Sequence, residues 1–279
     1  GRRWRSPRGG PRLDRPQHLM SDEPNHTMAN IADLLGEPGR ITSLVGGGGK
    51  TTLLHAIGAR LGPKVILTTT TRMAAHEIGD ARLLVGPSSA ELAANVARDN
   101  RPVLVWDRID DSVVGEPKGV GVKLDAPAGW LEFVDYVVVE ADGSRGHPAK
   151  APASHEPALP KGPVDVVAVI GADALDRVIA DQCHRPLRLA ATVGCSPSER
   201  LTPERAAVLL THQNGGRQGV PTDGGFAIAI TKVDNAALPL VDRLVVSLAE
   251  LAPTTPVHLF EDRSRFRRCP TDGSTAAST

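Results

Sequence analysis

A run of four glycines, followed by a lysine and two threonines, constrains this chain more than any other feature. It follows a short apolar segment, Ile41–Val45, and precedes apolar residues that recur at helical spacing up to Leu61. Glycines lack a Cβ atom, so successive amides in such a turn can point to one side, where the helix dipole adds positive potential. The pattern predicts a phosphate-binding loop between a strand and a helix. This glycine loop consists of Gly46, Gly47, Gly48, Gly49, Lys50, Thr51 and Thr52.

The side chains of the glycine loop predict a nucleoside triphosphate, GTP or ATP, as ligand and Mg²⁺ as cofactor. Lys50 is expected to reach the β- and γ-phosphates, and the hydroxyl of Thr51 is expected to bind the metal. Two positions depart from the usual pattern, because Leu44 stands where it has a glycine and Val45 stands where some related ATPases have a lysine. The alternative interpretation is a glycine turn that only connects a strand to a helix.

A second apolar segment ends in two acidic residues. Residues 135–139 lead into Glu140, and Asp142 and Gly143 follow closely. Carboxylates at the carboxyl end of a strand, beside a phosphate loop, are suited to hold Mg²⁺ or its waters and to act in catalysis. The form Glu-x-x-Gly also resembles nucleotide switches in which the glycine amide senses the γ-phosphate. The alternative is a plain Asp-Gly turn.

A third apolar segment, Phe226–Ile230, is followed by Thr231-Lys232-Val233-Asp234. This tetrapeptide looks like the Asn/Thr-Lys-x-Asp element of guanine-nucleotide proteins. A carboxylate can accept hydrogen bonds from both N1–H and the 2-amino group of guanine, and adenine offers no such pair. Asp234 is therefore a candidate to recognise the base, and the stem of Lys232 is a candidate to cover its face. The alternative is that Asp234 caps the following helix.

The apolar segments alternate with helical patterns, which predicts an α/β fold with a mainly parallel sheet, helices on both faces and the architecture of a P-loop NTPase. Residues 1–29 are expected to be a disordered or non-native extension, residues 30–261 a nucleotide-binding domain with a long loop at 141–163, and residues 262–279 a flexible tail. Helices are expected at 53–61, Ser89–Arg98, Pro203–His212 and Asn235–Leu251. The predicted strands are Ile41–Val45, Val65–Leu67, Arg82–Val85, Val103–Trp106, Val134–Val139, Val164–Ile170, Phe226–Ile230 and Val257–Phe260.

Composition limits the partners and the compartment. The first 20 residues hold six arginines and one aspartate, so the remainder of this formally neutral chain is net acidic, which argues against nucleic-acid binding. No apolar run approaches the roughly 20 residues of a membrane span. With three cysteines in the whole chain, a reducing, cytoplasmic location fits best. Cys183, His184 and Cys195 match no established zinc spacing, so the cysteines are expected to be structural thiols.

Two resemblances join these motifs. The glycine loop, Glu140–Gly143 and Thr231–Asp234 together resemble Glu-x-x-Gly metallochaperone GTPases. A closer resemblance, over roughly residues 30–260, is to the YqeC-type family, and its specific segments are 45–52, 67–72, 139–152 and 153–160. That family is described as accessory proteins of selenium-dependent molybdenum hydroxylases. The resemblance implies a role in the maturation of a selenium- or molybdenum-containing client enzyme, and it does not identify the reaction.

The long loop supplies further candidates. Arg145 or Lys150 could neutralise phosphate charge in the transition state, in place of the cation missing at Val45. The loop could instead hold a client or a small substrate, or form a rigid proline-rich connector. Its polar residues are Ser144, Arg145, His147, Lys150, His155 and Glu156.

Taken together, the sequence predicts Mg²⁺-dependent triphosphate binding, with GTP preferred, and slow hydrolysis that drives a loop switch. Two alternatives remain open. One is a small-molecule kinase in which the long loop binds an acceptor hydroxyl and Asp142 acts as the base. The other is a non-catalytic module in which nucleotide stabilises a surface that binds a client.

Overall fold

A single parallel sheet of eight strands forms the centre of the protein. The computed structural model describes residues 30–112 and 116–261. The predicted terminal segments, 1–29 and 262–279, lie outside the described residues. All strand pairs of the central sheet are parallel, and its order is β13-β12-β10-β1-β8-β2-β5-β4. Its strands are β1 Arg40–Gly46, β2 Val65–Thr69, β4 Arg82–Val85, β5 Val103–Trp106, β8 Tyr136–Glu140, β10 Val164–Gly171, β12 Phe226–Val233 and β13 Val257–Glu261.

Consecutive apolar residues explain why these segments form a sheet that is buried on both sides. Side chains alternate between the two faces of a strand, so an unbroken apolar run supplies both faces. In β1, Ile41 and Val45 join the apolar cluster on one face, whereas Leu44 joins the cluster on the other. The middle strands are therefore shielded from water on either side.

Helices cover both faces of the sheet, as predicted. Helix α1 packs through Leu53, Leu54 and Ile57 on the face that contains Leu44. The other helices pack on the opposite face through residues such as Leu189 and Leu244. The helices are α1 Lys50–Leu61, α2 Ser89–Val96, α3 Ala126–Trp130, α4 Ile179–Gln182, α5 Pro186–Val193, α6 Pro203–Thr211 and α7 Leu238–Leu251. Short 3₁₀ turns occur at Ile31–Leu34, Gly62–Lys64, Ala75–Glu77 and Ala172–Ala174.

The order of the strands places a crevice between β1 and β10. Strand β1 leads into α1 on one face, and β10 leads toward α4 and α5 on the other, although the two strands are neighbours. In open parallel sheets, ligands bind where the chain leaves adjacent strands in opposite directions, outside their carboxyl ends. The glycine loop directly follows β1, so it lies at this point.

Two small sheets complete the fold and were not predicted. Antiparallel strands β3 Arg72–Ala74, β6 Arg108–Asp110 and β7 Lys118–Val120 pair in the order β3-β7-β6. Inside the expected long loop, β9 Ala149–Lys150 pairs with β11 Cys183–His184. These strands are only two or three residues long, so they carry no readable alternation in the sequence.

All eight predicted strands are found in the central sheet, with ends that differ by a few residues. The helices predicted near α1, α2, α6 and α7 are also present, whereas α3, α4 and α5 were missed. Helix α7 begins at Leu238 rather than at Asn235, because residues 235–237 form a turn. Across the described ranges, no helix combines the length and the apolar character that crossing a membrane requires.

The contact between Gly119 and Trp106 gives a test of the small antiparallel sheet. A Cβ atom on Gly119 would lie 2.0 Å from Cδ2 of Trp106, which is 1% exposed. We expect Gly119→Ala to lower the free energy of unfolding by about 1–3 kcal/mol through overpacking, as measured by urea denaturation. The matched variant Gly129→Ala, in α3, places its Cβ in open space and should leave stability unchanged or slightly higher. Equal effects of both substitutions would contradict this packing.

Candidate functional site at the carboxyl edge of the sheet

The three motifs singled out in the sequence meet at one edge of the sheet. The carboxylate of Asp142, after β8, accepts hydrogen bonds from the amide of Gly46, at the end of β1. The hydroxyl of Thr231, in β12, donates to the carbonyl of Gly48. The glycine loop, the acidic strand end and the Thr231–Asp234 segment therefore form one continuous site.

The backbone of the loop requires glycine at several positions. Gly46, Gly48 and Gly49 have φ angles of 97°, 83° and 104°, in the left-handed region that disfavours other residues. A Cβ atom on Gly46 would lie 2.4 Å from the carbonyl oxygen of Val169, and one on Gly48 would lie 2.1 Å from the amide nitrogen of Gly171. The loop thus fits against the end of β10 only without side chains.

The amides of the glycine loop fall into two groups. Those of Gly47 and Gly48 donate to the carbonyls of Val169 and His147, at 3.0 and 3.1 Å, and that of Gly46 donates to Asp142. The amides of residues 49–52 have no hydrogen-bond acceptor within the described part of the chain. These four groups begin α1, where the helix dipole is positive. The end of the helix is therefore open to an anion, whereas Gly46–Gly48 shape the turn; their direct contact with a ligand stays a prediction.

Lys50 is a buried cation at the centre of the site. Its side chain is 2% exposed, and Nζ donates to the carbonyl of Gly46 at 2.7 Å. Nζ also lies 3.3 Å from Oδ1 of Asp142 and 3.8 Å from Oε1 of Glu140. The charge is thus held beside the open amides by a carbonyl and two carboxylates, which an incoming anion could replace as partners.

Thr51 and Glu140 place two oxygen atoms that could act as metal ligands next to Lys50. The hydroxyl of Thr51 donates to Oε2 of Glu140 at 2.8 Å. Burial raises the pKa of Glu140 above its ordinary value, while Lys50 and the hydrogen bond from Thr51 act in the opposite direction. Within the described ranges, no group of three or more His, Cys, Asp or Glu side chains could hold a metal by itself. These donors suit Mg²⁺, which usually takes few protein ligands and completes its shell with water and phosphate.

Asp142 is buried, and both of its carboxylate oxygens have partners within the protein. It is 1% exposed, and both carboxylate oxygens accept from the amide of Gly46 at 3.0–3.1 Å. Lys50 and Lys150 flank it, with Lys150 Nζ 3.0 Å from Oδ2. In this conformation the carboxylate organises the loop from behind, so a role at a metal or as a base stays a prediction.

Lys150 extends the chain of charges away from the glycine loop. Its side chain is fully buried, and Nζ lies 2.8 Å from Oε2 of Glu156 and donates to the carbonyl of Gly143 at 2.7 Å. Arg185 binds both oxygens of Glu156, at 2.7 and 3.0 Å. Burial alone would raise the pKa of Glu156, but the hydrogen bonds from Lys150, the Ala153 amide and Arg185 lower it to about 2.

Sequence reasoning missed Arg185 as part of this network. It directly follows Cys183 and His184, which were considered for metal binding. Its position in the sequence gives no sign that it pairs with Glu156. Arg145, by contrast, was a candidate and lies outside the network, exposed and with a φ of 52°. The long loop is therefore mostly an ordered strap, in which Lys150 is buried and Arg145 is exposed.

The Thr231–Asp234 segment is anchored at both ends. Thr231 is 7% exposed and also donates to the carbonyl of Ile170 at 3.2 Å. Lys232 has a φ of 56°, and its Nζ lies 2.7 Å from Oδ2 of Asp173. Oδ1 of Asp234 accepts from the amide of Ala237 at 2.8 Å, in the turn that precedes α7. Asp234 thus caps the turn at 235–237, whereas the N-cap of α7 itself is Ala237, and recognition of a base stays a prediction.

The cysteines behave as expected for structural thiols. Cys183 is 2% exposed in β11, and burial raises its pKa to about 12. Cys195 is partly exposed, and burial also raises its pKa. Both thiols are therefore protonated near neutral pH and are poor metal ligands and nucleophiles in this form.

A polar cavity of about 470 Å³ opens beside the site. It lies along the exposed side of α1, between that helix and the segment that follows β3. His55 closes one wall, since its Nε2 lies 2.5 Å from the carbonyl of Glu77. Its polar lining residues are Thr51, Thr52, His55, His76, Glu77 and Asp80. The cavity thus starts at the same threonine whose hydroxyl contacts Glu140.

Fold and site together define a class of protein: an α/β protein with one parallel sheet, in which a glycine loop, a buried lysine and two carboxylates meet at the carboxyl ends of adjacent strands. Within that class the chain belongs to the YqeC family, because the family described as YqeC protein matches residues 42–187, more than half of the 279 residues. The matched range contains the glycine loop, both carboxylates, Lys150 and Arg185, whereas Thr231–Asp234 lies beyond it.

A curated relative agrees with this assignment. The uncharacterized protein YqeC of Escherichia coli (strain K12) is 31% identical over 189 residues, which cover 65% of this chain and 71% of the relative. No solved structure matches this chain. The family membership predicted from the glycine loop and residues 139–160 is therefore confirmed.

The network around Glu156 predicts a pH dependence of stability. The pKa of Glu156 lies at about 2, below its ordinary value of 4.5, so its contribution is present above the ordinary value and is lost as the pH falls toward 2. We expect Glu156→Gln to lower the free energy of unfolding by about 2 kcal/mol near pH 7. The difference from the wild type should shrink between pH 4.5 and 2, as followed by urea denaturation at each pH.

The exposed residue Glu132 provides the control for this series. Glu132→Gln removes the same charge without touching the network, and it should leave the pH dependence of the wild type intact. A Glu156→Gln variant whose stability curve runs parallel to that of the wild type down to pH 2 would show that the ion pairs do not stabilise the fold.

Proposed function

We propose that this protein binds a nucleoside triphosphate, preferably GTP, together with Mg²⁺ and hydrolyses it slowly, as an accessory factor for a selenium- or molybdenum-containing hydroxylase. The observation that carries the proposal is the set of open amides at the start of α1, beside the buried Lys50. Four amides without an acceptor in the described part of the chain, a helix dipole and a buried ammonium group at one point form a site for several phosphate oxygens. The low cysteine content of the chain fits a cytoplasmic location.

Lys50 changes partners when triphosphate binds in this proposal. Its Nζ now donates to the carbonyl of Gly46, which is uncharged, and lies 3.3 Å from Asp142. Phosphate oxygens offer a stronger, charge-assisted hydrogen bond. Asp142 keeps a cation at 3.0 Å after the exchange, because Lys150 stays on its other side. The buried carboxylate is therefore never left without a counter-ion.

Thr51 and Glu140 would hold the metal, and Asp142 stands behind them. When bound, Mg²⁺ neutralises charge on the phosphates and fixes their orientation. Once Lys50 has turned to the phosphates, Oε1 of Glu140, which now lies 3.8 Å from Lys50 Nζ, can orient a water molecule. Hydrolysis is slow in this scheme, because Val45 supplies no cation and Lys150 is buried away from the open amides. Arg145 is exposed and lies three residues after Asp142, so it is a better candidate than the buried Lys150 to stabilise charge in the transition state.

The base lies against Thr231–Asp234 in the proposed complex. Thr231 ties this segment to the carbonyl of Gly48, so a nucleotide on the glycine loop reaches it. Asp234 uses Oδ1 for the amide of Ala237, and its carboxylate is the proposed acceptor for guanine. The Lys232 stem, held by Asp173, flanks the same space.

The accessory role rests on membership of the YqeC family and on the resemblance that the family motifs imply. An ordered strap with one exposed arginine, directly attached to Glu140 and Asp142, is a suitable element to pass nucleotide occupancy to a client enzyme. Gly143, in the Glu-x-x-Gly position, connects the strap to these acidic residues, because its carbonyl accepts a hydrogen bond from Lys150.

The polar cavity beside Thr51 favours one alternative, a small-molecule kinase. Its volume of about 470 Å³ is large enough for a small acceptor, and its lining contains histidines and carboxylates that could bind a hydroxyl group. Release of phosphate in the absence of any acceptor distinguishes the GTPase, whereas turnover that needs an added polyol or nucleoside supports the kinase.

Replacement of Lys50 tests the site directly. We expect Lys50→Ala to weaken binding of GTP with Mg²⁺ at least a hundredfold in isothermal titration calorimetry, since a charge-assisted bond to phosphate is lost from a buried position; a hundredfold corresponds to about 2.7 kcal/mol. The matched control is Lys64→Ala, which removes an exposed lysine at the amino end of the sheet. It should bind as the wild type does.

Unchanged affinity in Lys50→Ala, with a normal melting temperature, would refute binding at the glycine loop. A wild type that binds neither GTP nor ATP at millimolar concentration would refute the proposed function as a whole.

Replacement of Asp234 tests recognition of the base. Asp234→Asn should reduce the ratio of GTP to ATP affinity by about tenfold, because the amide cannot accept two hydrogen bonds from guanine in the same geometry. Asp135→Asn, at the amino end of β8, removes an exposed carboxylate and should leave the ratio unchanged. Competition binding with both nucleotides measures the ratio. If the wild type already binds the two equally, Asp234 does not select guanine.

A further inference from the structure

Two stacked histidines lie beside the glycine loop and take no part in the proposed nucleotide site. The rings of His147 and His184 have centroids 5.9 Å apart and planes 16° apart. His184 is in β11, which pairs with β9, and its register partner is Lys150. The carbonyl of His147 accepts from the amide of Gly48 at 3.1 Å. The imidazole pair is therefore fixed to the glycine loop through the backbone, and both rings are partly exposed.

The surroundings of this pair are strongly cationic. Burial, together with the nearby charges of Arg185, Lys150 and Arg145, lowers the pKa of His184 to about 4, against the opposing effect of Glu156. His184 is therefore neutral near pH 7 and lies in a field that repels protons and attracts anions. Glu156 is already shared by Lys150 and Arg185, so it does not compensate Arg145.

The backbone at both arginines is held in an unfavourable conformation. Arg145 and Arg185 have φ angles of 52° and 59°, in the left-handed region that disfavours residues with a side chain. Arg185 also immediately precedes α5, where a positive charge opposes the helix dipole. Residues whose backbone or charge goes against local preferences, as at Arg145 and Arg185, are typical of functional sites. Arg145 is exposed and has no ion-pair partner among the residues that the structure describes.

We propose that Arg145, His147 and His184, beside the Arg185–Glu156 pair, form a second anion site that binds the phosphate group of a small-molecule substrate next to the glycine loop. A guanidinium fork and imidazole N–H groups are the donors that tetrahedral oxyanions prefer. The neutral ring of His184 donates without adding charge, while the exposed guanidinium of Arg145 supplies the attraction. The histidine pair is separate from Lys50 and from the amides of residues 49–52, so the site holds a second ligand. Arg145 is the residue that this site shares with the transition-state role proposed above.

The test separates the second site from the glycine loop by removing Lys50. Inorganic phosphate at about pH 7.5, where it carries close to two charges, is titrated into full-length Lys50→Ala. The NMR signals of the histidine rings are followed, and His184→Gln identifies the signal of His184. We expect saturable shifts of the His147 and His184 signals. Adding Arg145→Ala should weaken phosphate binding about tenfold, whereas adding Arg177→Ala, an exposed arginine outside the cluster, should not.

Three outcomes would overturn the proposal. The ring signals could stay in place with phosphate, Arg145→Ala and Arg177→Ala could weaken binding equally, or citrate could bind as tightly as phosphate and so contradict the choice of ligand class. Because Arg145 is exposed, its replacement should not affect folding, which a melting curve checks. The outcome is independent of triphosphate binding, since every titration is done without Lys50.

Discussion

The carboxylate of Asp142 is the interaction on which the site depends. It binds the amide at the first turn of the glycine loop and stands between Lys50 and Lys150, with almost no exposure to water. A buried charge of this kind is tolerated only with close partners, so both lysines are drawn inward. The side chain of Asp142 thereby fixes the position of the glycine loop, of the Lys50 ammonium group and of the start of the strap after β8.

The central sheet could be predicted because its strands are unbroken apolar runs. Segments such as Val164–Ile170 and Val65–Leu67 are buried on both faces, and that burial leaves a direct trace in composition. The glycine loop was equally readable, since the conformations at Gly46, Gly48 and Gly49 exclude other residues. The sequence pattern therefore predicted the sheet and the position of the site at its edge.

The partners within the site could not be predicted in the same way. The bond from Arg185 to Glu156 joins positions 29 residues apart, and the one from Gly48 to His147 joins a loop to a distant strap. Contacts of this kind depend on the path of the chain between them. The amides of Gly46–Gly48 show the same limit, because their acceptors are protein groups that only the folded strap and β10 supply. The small strands β3, β6 and β7 are too short for any periodic pattern.

The two faces of the sheet are covered unequally. In the described part of the chain, α1 and the 3₁₀ turn at Ile31–Leu34 cover the face that contains Leu44, whereas several helices share the other. Helix α1 is also the helix with the open amides. In the proposed complex, a ligand bound at the first turn of α1 therefore acts directly on the helix that shields this face of the sheet from water. In that complex, the occupancy of the site and the packing on this face of the sheet are coupled through one helix.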